Sequence, residues 1–600
     1  MGASITRRIE IYPLFALDYH PDPHYIILIC NYNSDAQQMP GSYTNPEYPY
    51  IRSPDQDAAQ PVHHPVIIVG GGPAGLAAAM DLALQGVPTV VLDDNNTVSV
   101  GSRAICLAKR TLEICDRYGC GQAMLDKGVT WNLGKVYFGE EQIYDFNLLP
   151  EPDHKVPAFI NLQQYYMEEY MVDRCLQMPE IELRWLHKVS EVSTDDHGAA
   201  ITVQTRDGDY RLSCDYLLVA DGANSPIRTA LGLESRGQVF EDRFLIADIV
   251  MKADFPAERR FWFNAPFHPD QSTLLHKQAD NVWRIDFQLG WDADPEEEKK
   301  IENIRPRVEA MLGEDMEWEL EWASVYTFRC RKMDSFIHHR VLFIGDAAHQ
   351  VSPFGARGAN GALQGVENLG WKLAAVLQGR APQALLQTYD SERQHGASEN
   401  ILNSTRATDF MTPKNHITRV FRDTVLELAR TYPFARALVN SGRLSKPCTY
   451  ESSPLNTPDG DDFKPGMRPG SPCTDAPVEG GNGSGWLLNH LGNHFSVLLK
   501  GEFDGAGLAG LAEMTTALAP LAGDIRVIRV DAAPNDGTAT VHLADEKGVL
   551  AERYDLRESA VYLIRPDQHI AARWRDLDAD KISRALRRAM GAELPPEQAA

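Results

Sequence analysis

Residues 66–93, VIIVGGGPAGLAAAMDLALQGVPTVVLD, set a glycine-rich loop between an apolar strand and a helix, and close the unit with a carboxylate at the tip of a second strand. Val66 to Val69 is a short, β-branched, continuously apolar run, the kind that suits a parallel strand covered on both faces. Gly70, Gly72 and Gly75 fill GxGxxG: one for the tight turn, one for close backbone approach to a diphosphate, one for helix-on-strand packing. Pro73 and Ala74 open a helix that runs to about Gln85, whose free N–H groups and positive dipole end face the glycines. Asp93 falls 23 residues after Gly70, where a carboxylate can accept from ribose hydroxyls. The pattern predicts a dinucleotide cradle.

Six hundred residues exceed one hydrophobic core and predict several domains. The net charge of −25, spread along the chain, argues against a nucleic-acid partner and confines phosphate binding to loops. The nine cysteines show no CxxC and no Cys/His ligand spacing, so neither a metal site nor a disulfide framework is expected, and a reducing cytoplasm fits. Residues 66–92 are apolar enough to suggest a membrane span, but Asp81, Gln85 and the glycines give them the period of a βαβ unit, and no membrane partner is expected. Residues 1–63, rich in Tyr, Pro, Asp, Asn and Gln, read as a poorly ordered extension, with Met39 a candidate start.

Three more motifs follow. Arg103 heads a helix just after the acid-tipped strand, where a guanidinium can pair with phosphate. YLLVADGANSPIRTALG ends a buried strand on Asp221 and Gly222, the strand end where ligands collect in open α/β sheets. RVLFIGDAAHQVSPFGARGANGALQGVENLGWKLAAVL ends another strand on Gly345-Asp346, then runs through glycines 355, 358 and 361 into a second helix N-terminus. Two such termini suit one extended ligand, a diphosphate on the first and a reduced ring system on the second.

GxGxxG with an acidic strand end, then DG, then GDAAH…P…G…G…N, resembles the single-component, class A FAD-dependent aromatic hydroxylases over roughly residues 64–400. WLLNHLG (486–492) and YDLRESAVYLIRPDQHIAARWR (554–575) are similar to the thioredoxin-like tail of the phenol hydroxylase and 3-(3-hydroxyphenyl)propionate hydroxylase branch; lacking CxxC, the tail is expected to be structural. The resemblance implies bound FAD and, because no second GxGxxG occurs, a transiently docked NADH or NADPH. It assigns Gly70, Gly72 and Gly75 to the diphosphate, Asp93 to the ribose, and Arg103 and Gln164 to the phosphate and ribityl region. Asp221 and Gly222 fall at the strand end that serves FAD, Asp346 at the ribityl chain or diphosphate, and Pro353, Gly355, Gly358, Ala359 and Asn360 beside the isoalloxazine. Gln164 lies in a QxxLExxL helix with Met at both Leu places. Arg357 and Gly365 depart from the family pattern, the first placing a cation near the flavin loop. His349 is expected to support its loop through hydrogen bonds.

The implied chemistry is hydroxylation of a phenolic aromatic with NAD(P)H and O₂ through a C4a-hydroperoxyflavin, in a pocket that excludes water. The pocket roof is expected over 240–335, where Trp283, Ile285, Phe287 and Leu289 take one strand face and Arg284, Asp286 and Gln288 the other. His276, Arg284, Asp286 and Tyr326 are the pocket candidates, with Pro353 at the flavin loop. The alternatives are a flavin-dependent reductase or dehydrogenase and a non-enzymatic FAD-binding redox sensor.

The expected architecture is α/β, of p-hydroxybenzoate-hydroxylase-like FAD-binding type. A Rossmann-type βαβ core over 64–400 is interrupted by a mixed β-sheet substrate domain at approximately 166–204 and 241–329. A helical segment and linker follow over 401–464, then a thioredoxin-like domain over 465–600, with a homodimer as the expected assembly.

Overall fold

Val62–Val69 (β1) is an inner strand of an eight-stranded sheet, with Gly208–Val219 on one side and Thr89–Asp93 (β2) on the other, both parallel to it. Ile181–Trp185 extends the parallel run beyond β2, and Val341–Phe343 beyond Gly208–Val219. Register aligns the carboxyl ends: Val69 pairs with Leu92 and Val219, and Val219 with Phe343. The GxGxxG, Asp-Gly and Gly-Asp turns therefore leave one sheet edge side by side, where open α/β sheets bind ligands. Val66, Ile67 and Ile68 have no exposed surface, each worth ~1.5–3 kcal/mol of burial.

The structure, a computed structural model, describes residues 43–439, 445–480, 485–531, 540–557 and 559–593. The candidate start at Met39 and most of the expected poorly ordered extension lie outside the described residues. From Tyr43 onward that expectation is corrected. Tyr43 stacks on Tyr165 at 4.1 Å, Tyr48 stacks on Trp185 at 4.6 Å, and Tyr48 N–H donates to the Asn96 carbonyl at 2.7 Å. These aromatic partners are distant in sequence, so local composition does not reveal them.

The helix Pro73–Leu84 (α1) packs against two others, Gln164–Cys175 and Gly358–Leu377. A Cβ at Gly370 would lie 2.0 Å from Asp81 Oδ2, so only glycine permits that crossing.

A second eight-stranded sheet holds His349–Gln350 at one edge, then Trp318–Met333, Ser235–Met251, Val282–Leu289, His268–Lys277, Arg259–Ala265, Leu133–Phe138 and Glu141–Asn147. The predicted boundaries of the inserted domain change here. The strands Ile181–Trp185, Lys188–Thr194 and Ala199–Thr205, expected within the insert at 166–204, belong to the first sheet. Residues 133–147 join the second, because Gly134 to Phe138 pair in parallel with Arg259 to Phe263, a contact no local pattern encodes. One face of this sheet packs Trp283, Ile285, Phe287, Leu245 and Leu275 against Ile304 and Val308. The other face looks toward the strand ends of the first sheet.

A six-stranded sheet forms the C-terminal body. Phe495–Lys500 and Ile525–Val530 are parallel and joined by the helix Gly505–Ala522; Ala560–Ile564 and Ile570–Trp574 add antiparallel to Phe495–Lys500, and the helix Ala579–Ala589 follows. Residues expected to be linker run along it: Thr457 N–H donates to the Ala571 carbonyl and Asp459 pairs with Arg573. The body is fastened to the first by buried charges. Arg565 donates to both Glu392 oxygens at 2.7 and 3.0 Å and also pairs with Asp567, while Lys372 reaches Glu392 at 2.8 Å. Arg110 pairs with Glu367 at 2.8 Å and donates to Gln568, and all of these side chains are almost fully buried.

Candidate active site

The three cradle glycines are demanded by different neighbours. Gly70 has φ +109°, and a Cβ there would sit 2.4 Å from the Ala220 carbonyl oxygen; at Gly75 it would sit 1.9 Å from that of Gly70. A Cβ at Gly72 would meet nothing within 4 Å, so the face of the helix N-terminus is open to a ligand. Pro73 occupies the first turn of α1, and Ala74 is where the late loop arrives, since a Cβ at Gly345 would meet its methyl at 2.8 Å. Asp93 accepts from the N–H of Gly71 and, at 2.8 Å, from that of Asn95; burial pushes its carboxyl up to about 6.

Arg228 ties the other two turns together, donating to the Ala347 carbonyl at 2.8 Å and the Ala223 carbonyl at 2.9 Å. Gly222 takes φ +83°, and Asp221 Oδ2 accepts from Ile227 N–H at 3.1 Å while its buried Oδ1 finds no partner. Asp346 and Arg103 are both accessible to solvent, yet enough protein surrounds Asp346 to push its carboxyl up to about 6, partly offset by Arg103. Gln164 holds the Arg103 turn: its Oε1 accepts from Ala104 N–H at 3.1 Å and its Nε2 donates to Glu168, which in turn accepts from Ser99 N–H.

The late loop, Pro353 to Ala359, is pinned by Asn360. That buried amide accepts from Ala108 N–H at 2.8 Å and Thr111 Oγ1 at 2.6 Å, and donates to the carbonyls of Cys106 and Ala356. Its four bonds are spent on protein, so Asn360 shapes the loop rather than offering a free group. Gly355 and Ala356 have positive φ, +93° and +51°, turning the chain into the helix that begins at Gly358. Pro353 is exposed at the loop tip, and Gly358 and Ala359 remain partly accessible. Arg357 is buried and donates to Asn400 at 3.1 Å in the helix Gln387–Met411. His349 departs from expectation: Nδ1 has no partner, burial holds it neutral with its pKa lowered to about 3, and it supports the loop by packing on Phe336.

Between this loop and the second sheet lies a narrow cavity of about 10 Å³, lined by Arg259, Phe261, Phe263, Phe354, Gly355 and Met411 among others. By register all four pocket candidates share the sheet face that bounds it: His276 pairs across strands with Arg284, Leu274 with Asp286, and Tyr326 with Phe244, which in turn faces Gln288. Arg284 is spent on a buried network, donating to Asp248 at 3.1 Å, to Ser102 and, at 2.7 Å, to the Arg103 carbonyl; it locks the sheet to the Arg103 turn. Asp286 is different. Burial pushes its carboxyl up to about 6, and Oδ1 has no partner. His276 Nε2 stands 4.0 Å from Asp286, too far for a hydrogen bond; burial and the nearby Arg259 and Arg284 hold the ring neutral, with Nδ1 unpartnered. Tyr326, on the same face, is 45% exposed.

A family model described as FAD binding domain matches residues 63–404. The chain belongs to this FAD-binding family. A 3-(3-hydroxy-phenyl)propionate/3-hydroxycinnamic acid hydroxylase from Mycobacterium sp. (strain JLS) is 26% identical over 525 residues, 87% of this chain and 91% of the relative. A 12-dehydrotetracycline 5-monooxygenase/anhydrotetracycline 6-monooxygenase from Streptomyces rimosus is 29% identical over 385 residues, 61% of this chain and 73% of the relative. The fold is that of the flavin-dependent monooxygenase PieE, whose crystal structure with FAD and substrate aligns with TM-score 0.76 at 22% identity, covering 89% of this chain and all of that one.

The residues fit FAD. The open face at Gly72, the unpartnered Asp221 Oδ1 and the exposed carboxylate of Asp346 lie along one set of aligned strand ends. Sequence reading overlooked Arg259. Its signal was present in RRFWFN, where an arginine stands in phase with Phe261 and Phe263 on the inward face of the strand.

Proposed function

We propose that the chain is a flavoprotein monooxygenase that uses NAD(P)H and O₂ to hydroxylate a phenolic aromatic. The carrying observation is the Phe-lined cavity between the Gly355 loop and the second sheet, with the partnerless oxygen of Asp286 on the sheet face beside it. In a site that binds FAD, FAD supplies hydride acceptance and oxygen activation. Gly70, Gly72, Gly75 and the α1 N-terminus hold the diphosphate, Asp93 the ribose, Arg103 and Asp346 the middle of the molecule, and the loop from Pro353 to Ala359 borders the ring system.

The protein's remaining tasks are positioning, dryness and one proton. Phe261, Phe263, Phe354 and Met411 exclude water from the acceptor ring. With its carboxyl near 6, Asp286 is ionised at neutral pH and accepts the phenolic proton, which raises electron density on the ring. Neutral His276 orients the same hydroxyl through Nδ1. NAD(P)H docks transiently over the FAD-binding body. The C-terminal sheet, with its βαβ unit followed by an antiparallel pair and a helix, supports reading that body as a structural thioredoxin-like domain; the cytoplasmic homodimer is proposed from the sequence resemblance alone.

The test is NAD(P)H oxidation by the yellow holoprotein with and without phenols, with product mass. A phenol-stimulated rate and one added oxygen atom are expected. Reduction indifferent to phenols, with no oxygenated product, would assign a reductase instead, and a protein that NAD(P)H does not reduce would be a sensor.

A further inference from the structure

Arg259 is the most unusual charge in the molecule. Only 8% of it is exposed, and among the described residues its side chain makes no hydrogen bond and no ion pair, with Nε buried and unpartnered. Other buried guanidiniums have partners: Arg565 pairs with Glu392 and Asp567, Arg110 with Glu367, Arg284 with Asp248 and Ser102, and Arg393 donates to Tyr450 and the Gly361 carbonyl. A buried cation without a counter-ion is strongly disfavoured, and folded proteins keep one where a partner arrives from outside. Burial accordingly lowers its pKa, with Cys106 and Asp286 as the groups that pull the other way. Asp286 lies beyond ion-pair distance of Arg259, and Cys106 is a thiol whose pKa burial pushes up to about 11, so neither neutralises it.

The strand explains where the guanidinium points. Arg259, Phe261 and Phe263 alternate inward along Arg259–Ala265, and all three line the cavity beside Gly355. A planar, five-donor cation at the wall of an aromatic pocket matches a carboxylate in bidentate geometry, with the phenylalanines holding the ring that bears it.

We propose that Arg259 is the specificity-determining residue of the pocket and that the aromatic substrate carries a carboxylate, which pairs with Arg259 while its phenol group meets Asp286. This rests on the monooxygenase reading above and adds the charge class of the substrate. Two negative groups on the ligand side would be repelled by Asp286; one carboxylate and one neutral phenol fit the single unpaired cation.

The experiment uses the holoprotein and matched pairs of aromatics: 3-hydroxybenzoate and 3-(3-hydroxyphenyl)propionate, each against its primary amide. Wild-type protein is expected to prefer the acids by about 30-fold or more in kcat/KM, the loss expected when one side of a buried charge pair is missing. In Arg259→Gln that preference falls toward one, mainly through KM for the acids, and Arg259→Lys restores part of it. Without substrate, Arg259→Gln melts no lower than wild type, because it removes an unpaired buried charge; a lower melting point would mark a structural role and overturn the proposal. Equal use of acids and amides by wild type would overturn it while leaving the hydroxylase reading intact. A preference retained in Arg259→Gln alongside a shifted flavin spectrum would overturn it by assigning the guanidinium to the cofactor. No stimulation or oxygenation with any phenol, including uncharged ones, would remove the hydroxylase reading and this proposal together.

Discussion

At the scale of single residues, Gly72 and Gly75 separate folding from cofactor binding. A methyl at 75 collides with the Gly70 carbonyl, whereas one at 72 meets open space with φ −79°. Gly75→Ala is therefore expected to lose roughly 3 kcal/mol or more, and Gly72→Ala less than about 1 kcal/mol, while both release FAD. Calorimetry and visible absorbance of the purified variants check the pair. Asp286 gives a pH prediction with a defined sign. Its carboxyl is raised from 3.8 to about 6 in the folded chain, so the native state binds the extra proton, and the stability this confers is complete below about pH 4 and lost as pH rises through 6. Asp286→Asn escapes that loss: equal to wild type at pH 4, it is expected to be about 1–3 kcal/mol more stable at pH 7.5, and to hydroxylate poorly there. A stability difference that shrinks with rising pH would contradict this. The cradle glycines were legible in the sequence because backbone sterics act within a few residues. The idle charge of Arg259 was not, since a missing partner shows only once every neighbour is in place.

At the scale of elements, strands and helices announced by apolar runs appeared where the pattern put them, at Val62–Val69, Thr89–Asp93, Val341–Phe343 and Gly358–Leu377. Which sheet a strand joins was less visible. Residues 133–147 and 181–205 exchange their expected places because sheet membership is set by pairings such as Gly134 with Arg259 and Ile181 with Thr89, remote in sequence, and alternation alone is the same in either sheet. The lock between the second sheet and the Arg103 turn belongs to this scale too. Asp248→Ala would strand Arg284 as a buried cation, and a loss of about 3–5 kcal/mol with weakened FAD retention is expected from thermal melts. The helices His416–Ala429 and Pro433–Leu438 expose Ile417, Val420, Phe421 and Phe434. If the proposed homodimer closes over that row, Phe421→Glu halves the mass seen by light scattering; an unchanged mass places the contact elsewhere.

At the scale of the whole molecule, the C-terminal body was legible as a separate stretch of sequence but not as an inseparable one. Glu392, Lys372, Arg565 and Asp567 are dispersed over nearly two hundred positions, and nothing local marks them as one cluster. Arg565→Met would strip Asp567 of its guanidinium and leave Glu392 with Lys372 alone; a stability loss of about 3–5 kcal/mol is expected, read by melting of the full chain, against little effect from replacing the exposed Arg468. The same cluster constrains how such chains can be recombined. A hybrid of two relatives joined anywhere between positions 393 and 564 takes Glu392 and Lys372 from one parent and Arg565 and Asp567 from the other. Unless both parents carry the same set, the seam is felt far from the junction, and the two halves must diversify in step.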